Sequence, residues 1–357
     1  MRYVYGIIAT GTPVTFDAAG VDDHGGDIST VCHDGLGAVV SPTDRADYRG
    51  MTRQEALRYL VAHQGVVEAV MGRFTALPVK FGTVLPDEAR VRRLLEQGYT
   101  LLRSTLEEIA GRVQMEVVVT WDLAAVFQEI SAEEEIARAK SRVVGRPSEE
   151  AAEARVAIGQ MVKASLDRRR SALQDYLVPW LRDVALDLVA NPLLDDGMVA
   201  NVALLLDGAG REALDRRLVE LDRQFQGWLN FRCVGPLPPY SFATVEVQTP
   251  AFEAVDTARY RLGLGKTATL EEIKRAYRQL AARVHPDVNP EGDKAGMRMA
   301  ELTEAYRLLA AYGESQTSEV EGITNTVCAF DREMVARTML ISIVRPEGLG
   351  AQIGTGG

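Results

Sequence analysis

Apolar positions recur along the chain with two alternating periods, near two and near 3.6, so strands and helices are expected in turn. Arg2 to Ala9 has a strand pattern, and Leu36 to Val40 has another that stops at Ser41-Pro42. Thr52-Arg53-Gln54-Glu55 reads as a capping box, in which the Thr oxygen accepts a free helix amide and Glu55 reaches back. The helix it opens carries Leu57, Leu60, Val67, Met71 and Phe74 near one face. Leu77 to Leu85 reads as a strand interrupted by Gly82, and Pro86-Asp87 opens a helix striped by Val91, Leu94, Leu95, Leu102, Leu106 and Ile109. Gln114 to Trp121 is a Val-rich strand.

This order of elements suggests an α+β fold with a ferredoxin-like N-terminal domain over residues 1–121. Residues 122–250 read as a second α+β sheet-and-helix domain. Ser131-Ala132-Glu133-Glu134 matches a second capping box. Residues 149 to 190 hold a long helical pattern containing Pro179, stopped by Asn191-Pro192. Met198 to Leu206 reads as a strand, Arg211 to Gly227 as an amphipathic helix, and Leu229 to Val234 and Phe242 to Val247 as strands. The last two are joined by the Pro-rich segment Gly235 to Tyr240.

From about residue 251 the character changes, and residues 251–313 read as a small all-α hairpin. Thr269-Leu270-Glu271-Glu272 is a third capping box. It opens a helix with Leu270, Ile273, Tyr277, Leu280 and Val284 on one face and Lys274, Arg275 and Arg278 on another. His285-Pro286-Asp287 ends that helix, and the loop from Val288 to Lys294 leads to a second one carrying Met299, Leu302, Tyr306 and Leu309. Residues 314–357 give a strand-like run, Thr338 to Val344, and a Gly-rich tail.

Charge sharpens this division. Residues 258–312 hold ten basic and seven acidic side chains, a local excess of +3 in a chain of net charge −10, which leaves −13 for the rest. A whole-chain nucleic-acid binder would need clustered Lys and Arg and is not expected. Three cysteines without a CxxC pair read neither as a disulfide framework nor as a zinc site, and a reducing, cytoplasmic setting fits. No apolar run approaches the roughly 18 residues that span a bilayer, so no membrane association is expected.

Several motifs invite a chemical reading and fail on spacing. Gly263-Leu-Gly-Lys-Thr267 lacks the first glycine of a P-loop, because Tyr260 stands there. Gly35-Leu-Gly37 is a turn before a strand. His24 and His33 fall in a polar region, and His63 falls on a helix beside Gln64. Tyr240 and Trp228 read as core or interface aromatics. No catalytic residues, metal ligands or cofactor are expected, and the protein is not expected to be an enzyme.

The basic hairpin resembles a J-domain. Tyr260-Arg-Leu-Gly-Leu, Glu272-Ile-Lys-Arg-Ala-Tyr-Arg-Gln-Leu-Ala, His285-Pro-Asp-Val-Asn-Pro and Leu302-Thr-Glu-Ala-Tyr306 carry the likeness. It implies a partner of the DnaK type, whose ATP hydrolysis J-domains stimulate. It also implies that His285, Pro286 and Asp287 are the tripeptide needed for stimulation, and that Lys274, Arg275 and Arg278 meet the acidic chaperone. Two positions depart from the family: Val288 replaces a usual basic residue, and Met299 a usual Phe.

Residues 1 to about 250 resemble the gas vesicle protein F/L family. The likeness is carried by Tyr3-Val-Tyr-Gly-Ile-Ile8, Gly37-Ala-Val-Val-Ser41, Ala62-His-Gln-Gly-Val-Val-Glu-Ala-Val-Met71, Leu77-Pro-Val-Lys-Phe-Gly-Thr-Val84 and Val234-Gly-Pro-Leu-Pro-Pro-Tyr-Ser-Phe242. It implies an accessory protein of gas vesicle assembly that contacts the hydrophobic shell protein GvpA and other gas vesicle proteins, in the cytoplasm or at the vesicle. The two likenesses together lead to an assembly factor that binds shell subunits and recruits a DnaK-type chaperone. The alternative is a minor component of the vesicle wall with an inactive J-like module. For client binding, the sequence offers an exposed sheet edge near Met198 to Leu206 or the run Thr338 to Val344, either of which would serve equally as core.

Overall fold

The computed structural model describes residues 1–22, 27–48, 50–143, 152–284, 292–317 and 327–344. The chain forms two units. One comprises Met1–Glu108 with Thr244–Val344, and the other comprises Ile109–Ala243. Among the described residues no helix is long and apolar enough to cross a membrane.

The first unit is built on the strand Arg2–Ala9, whose Tyr3, Val4, Tyr5, Ile7 and Ile8 are fully buried. Burial on both faces explains why the run is continuously apolar rather than alternating. It pairs antiparallel with Leu36–Pro42 on one side and with Ala76–Pro78 and Val84–Leu85 on the other. Ile28–His33 and Thr15–Phe16 extend the sheet beyond Leu36–Pro42. The expected interrupted strand is thus two short strands around Gly82, whose φ of +81° suits a residue without a side chain. His33, expected in a polar loop, ends a strand. His24 lies outside the described residues.

Helix Arg53–Met71 starts at the expected capping box: Glu55 N–H donates to Thr52 Oγ1 at 3.3 Å, and Thr52 N–H donates to Glu55 Oε2 at 3.0 Å. Its buried stripe is Leu60, His63, Val66, Val67 and Val70, whereas Leu57 is exposed. The face is rotated from the expected one because His63 points inward. The Tyr3 hydroxyl lies 3.0 Å from His63 Nδ1, and the Tyr5 ring stacks on the imidazole at 5.6 Å. Burial pushes the His63 imidazole down to about 3, so it is neutral at physiological pH. The next expected helix is two, Glu88–Gln97 and Tyr99–Glu108, broken at Gly98.

The second unit is a four-stranded antiparallel sheet in the order Leu229–Leu237, Val113–Trp121, Met198–Leu206, Asp187–Ala190. The strand expected to close the first sheet therefore opens the second one. The division falls after Glu108 rather than at 121/122, and Thr244–Gln248 joins the first unit rather than the second. Met198–Leu206 lies between two partners and is not a free edge. The long helix spans Ala152–Arg182 with Pro179 inside it, and the end of its expected range is instead the strand Asp187–Ala190. Ser131 does not cap a helix: it lies within Leu123–Ala132, a helix capped by Asp122, whose carboxylate accepts from the Ala124 and Ala125 amides. Arg170 is nearly buried here. It donates to the carbonyl oxygens of Met198 and Asp196 and pairs with Asp167, so its charge is fully partnered. Tyr240 is buried, and Trp228 is half exposed and edge-on to Trp121.

Candidate functional site

Three helices of the first unit follow one another after Thr244–Gln248: Phe252–Arg261, Leu270–Val284 and Gly292–Thr317. The middle helix is fixed at its start by the third capping box. Glu272 N–H donates to Thr269 Oγ1 at 3.2 Å, and Thr269 N–H donates to Glu272 Oε2 at 2.8 Å. That backbone hydrogen bond holds the Glu272 carboxyl below its ordinary range.

Its inner face turns Ile273 into a core with Leu302, Ala305, Leu309 and Tyr312. Tyr277 and Tyr306 stack at 4.3 Å with a 16° interplanar angle, and the Tyr277 hydroxyl is 3.2 Å from Thr303 Oγ1. These contacts set the roll of the helix about its own axis. With Ile273 and Tyr277 inside, Arg275 and Arg278 are exposed and Lys274 is half exposed.

The charges on this outer face are lightly held. Lys274 Nζ is 3.7 Å from Glu271, Arg275 is 3.9 Å from Glu272, and Arg278 Nε donates to the Lys274 carbonyl at 3.3 Å. Exposed pairs within one helix contribute little to stability. Beside this face runs a cleft of about 310 Å³ lined by Gly263, Gly265, Thr267, Arg275, Gln279 and Arg283. The glycine loop that mimicked a phosphate loop forms one wall of it. A helix rather than a strand runs into that loop, unlike the P-loop arrangement. His285, Pro286, Asp287 and the loop to Glu291 lie outside the described residues.

One part of the module escapes sequence reading. Val327–Ala329 pairs antiparallel with Thr267–Thr269, and the short helix Arg332–Arg337 follows, capped by Asp331. The only signal is a four-residue apolar run, Val327 to Phe330, before an Asp N-cap.

Two separate families match successive stretches of the chain. The family model for gas vesicle synthesis protein GvpL/GvpF matches residues 1–244. The chain belongs to the GvpL/GvpF family. Its similar relatives include gas vesicle protein L1 of Halobacterium salinarum, 30% identical over 260 residues that cover 68% of this chain and 90% of that one. Gas vesicle protein F of Nostoc sp. is 24% identical over 247 residues, covering 68% and 98% respectively. The crystal structure of gas vesicle protein GvpF from Anabaena sp. shares the fold with a TM-score of 0.56 at 23% identity, covering 68% of this chain and 97% of that one. A DnaJ domain occupies residues 260–314. Over 58 residues the chain is 52% identical to the chaperone protein DnaJ of Chlamydia trachomatis, a match that covers 16% of this chain and 14% of that protein. This GvpL/GvpF chain thus carries a J-domain on the C-terminal side of the family's own segment.

Proposed function

We propose that the protein is a gas vesicle assembly factor that binds the shell protein GvpA and recruits a DnaK-type chaperone through its DnaJ domain. In this reading it works in the cytoplasm or at the growing vesicle, by binding rather than by catalysis. One observation carries it: a gas vesicle family segment and a DnaJ domain share one chain, and the DnaJ domain presents Lys274, Arg275 and Arg278 outward.

The physical logic is direct. A shell protein that lines a gas space exposes apolar surface before assembly, and such surface associates nonspecifically in water. An acidic body resists co-aggregation. A chaperone held on the same chain acts at high effective concentration on the bound client. In this scheme His285, Pro286 and Asp287 trigger hydrolysis, and the basic helix face supplies the electrostatic attraction.

Reversing Lys274, Arg275 and Arg278 to Glu is expected to weaken chaperone binding by about tenfold or more at low salt, with the difference shrinking as salt rises. Titration at several ionic strengths checks this. Binding that ignores the reversal would remove the electrostatic account. Washing isolated vesicles separates this reading from a wall component. An assembly factor leaves with the wash, whereas a structural part stays in fixed proportion.

A further inference from the structure

The segment that follows the DnaJ match packs against it. Cys328, Phe330 and Val335 are fully or almost fully buried and join the core of Val255, Leu309 and Tyr312. The Phe330 amide donates to the Lys266 carbonyl at 3.0 Å, and the Tyr312 hydroxyl donates to the Ala329 carbonyl at 2.6 Å. Arg332 lies 4.5 Å over the Phe252 ring and 3.0 Å from the Glu253 carboxylate. The segment thus touches all three helices' common core or their outer faces.

The same segment also reaches the first sheet. Leu340–Val344 pairs antiparallel with Thr244–Gln248 along its whole length, from Thr244 opposite Val344 to Gln248 opposite Leu340. Thr244–Gln248 is itself tied to the end of the Ala76–Pro78 strand: Lys80 N–H donates to the Val245 carbonyl at 2.8 Å, and Lys80 Nζ meets Glu246 at 2.6 Å. From the helix Glu88–Gln97, half-buried Arg90 donates to the carbonyls of Ala336 and Arg337 at 2.7 and 3.0 Å. These carbonyls end the helix Arg332–Arg337, where a cation is favoured.

The connections are short. Three residues separate Gln248 from Phe252, and two separate Arg337 from Leu340. A module on a flexible tether needs a linker long enough to wander. Here the chain enters through one strand and leaves through that strand's partner.

We propose that residues 327–344 are a clasp that completes the DnaJ module and fastens it to the first sheet, so that module and sheet open as one cooperative unit and the Lys274–Arg278 face is held at a fixed orientation. The proposal does not depend on any chaperone partner and is tested without one.

Hydrogen exchange on the full chain, read by mass spectrometry, provides that test. In the unaltered protein, the slowest amides of Leu270–Val284 and of Arg2–Ala9 are expected to exchange within about threefold of each other, as members of one unit do. A chain ending at Asn325 lacks the clasp, and there the Leu270–Val284 amides are expected to exchange at least ~10-fold faster while Arg2–Ala9 changes little. Should that chain fail to fold, Arg90→Ala decides, because it removes only a half-buried tie. It is expected to speed exchange across Thr338–Val344 by roughly threefold or more. Widely different protection of the two regions in the unaltered protein, unchanged helix exchange without the clasp, or no effect of Arg90→Ala would overturn the proposal.

Discussion

Replacing His285 by Gln is expected to return the ATPase rate of a DnaK-type chaperone to its unstimulated value while leaving the module folded. In the proposed function His285, Pro286 and Asp287 are the trigger, and the separate face of Lys274, Arg275 and Arg278 supplies the attraction. Binding and stimulation therefore come apart in this variant. The core that holds the module together rests on Ile273, Leu302, Leu309 and Tyr312, none of which is changed. Single-turnover ATP hydrolysis with the full chain in excess measures stimulation, and thermal unfolding of the same preparations measures folding. Equal stimulation by the two proteins would sink the assignment. A variant that unfolds earlier than the parent would show that His285 has a structural part as well.

The second large effect concerns stability against acid. His63 sits 1% exposed between Tyr3 and Tyr5, with hydrogen bonds to the Tyr3 hydroxyl and the Val79 backbone. Burial lowers its pKa to about 3 from the ordinary 6.5. The protonated form is the costly one in the native state, so the unfolded chain takes up the proton first as pH falls. The contribution is complete above about pH 6.5, declines below it, and is exhausted near the native value. Each pH unit in that window removes about 1.4 kcal/mol, so roughly 2 kcal/mol is lost from this one group between pH 6.5 and 5. Urea unfolding of the parent and of His63→Gln at about pH 7.5 and pH 5 isolates the effect. The parent is expected to lose stability by that amount more than the variant. Parallel losses in both would show that His63 does not control the acid limb.

Sequence pattern exposes local features of this fold well and non-local ones poorly. The boxes at Thr52–Glu55 and Thr269–Glu272 are formed because both partners lie within one helical turn. Ser131–Glu134 has the same letters, yet Asp122 opens that helix nine residues earlier and absorbs Ser131 into it. The strand Val113–Trp121 is legible, but its sheet is not. Its partners are Met198–Leu206 and Leu229–Leu237, and nothing within the segment specifies them. The buried stripe of Arg53–Met71 was displaced by His63, whose side chain reads as polar but packs neutral between two tyrosines. At the candidate site, the faces of Leu270–Val284 follow from a 3.6-residue period alone. The clasp does not, because Val327–Ala329 and Leu340–Val344 acquire meaning only from the strands they meet.

In the proposed function one chain joins a shell-protein binder to a chaperone recruiter. The strand pairing supplies a clean way to part them. Gln248 and Leu340 are cross-strand partners. A two-residue Asn-Gly turn can therefore replace residues 249–339 and close the two strands into a hairpin. The full chain and this shortened chain are used as baits in vesicle-forming cells, with GvpA and the DnaK-type chaperone quantified by mass spectrometry. Both baits are expected to capture GvpA, and only the full chain to capture the chaperone. Chaperone retained by the shortened chain, or GvpA captured by neither, would contradict the account.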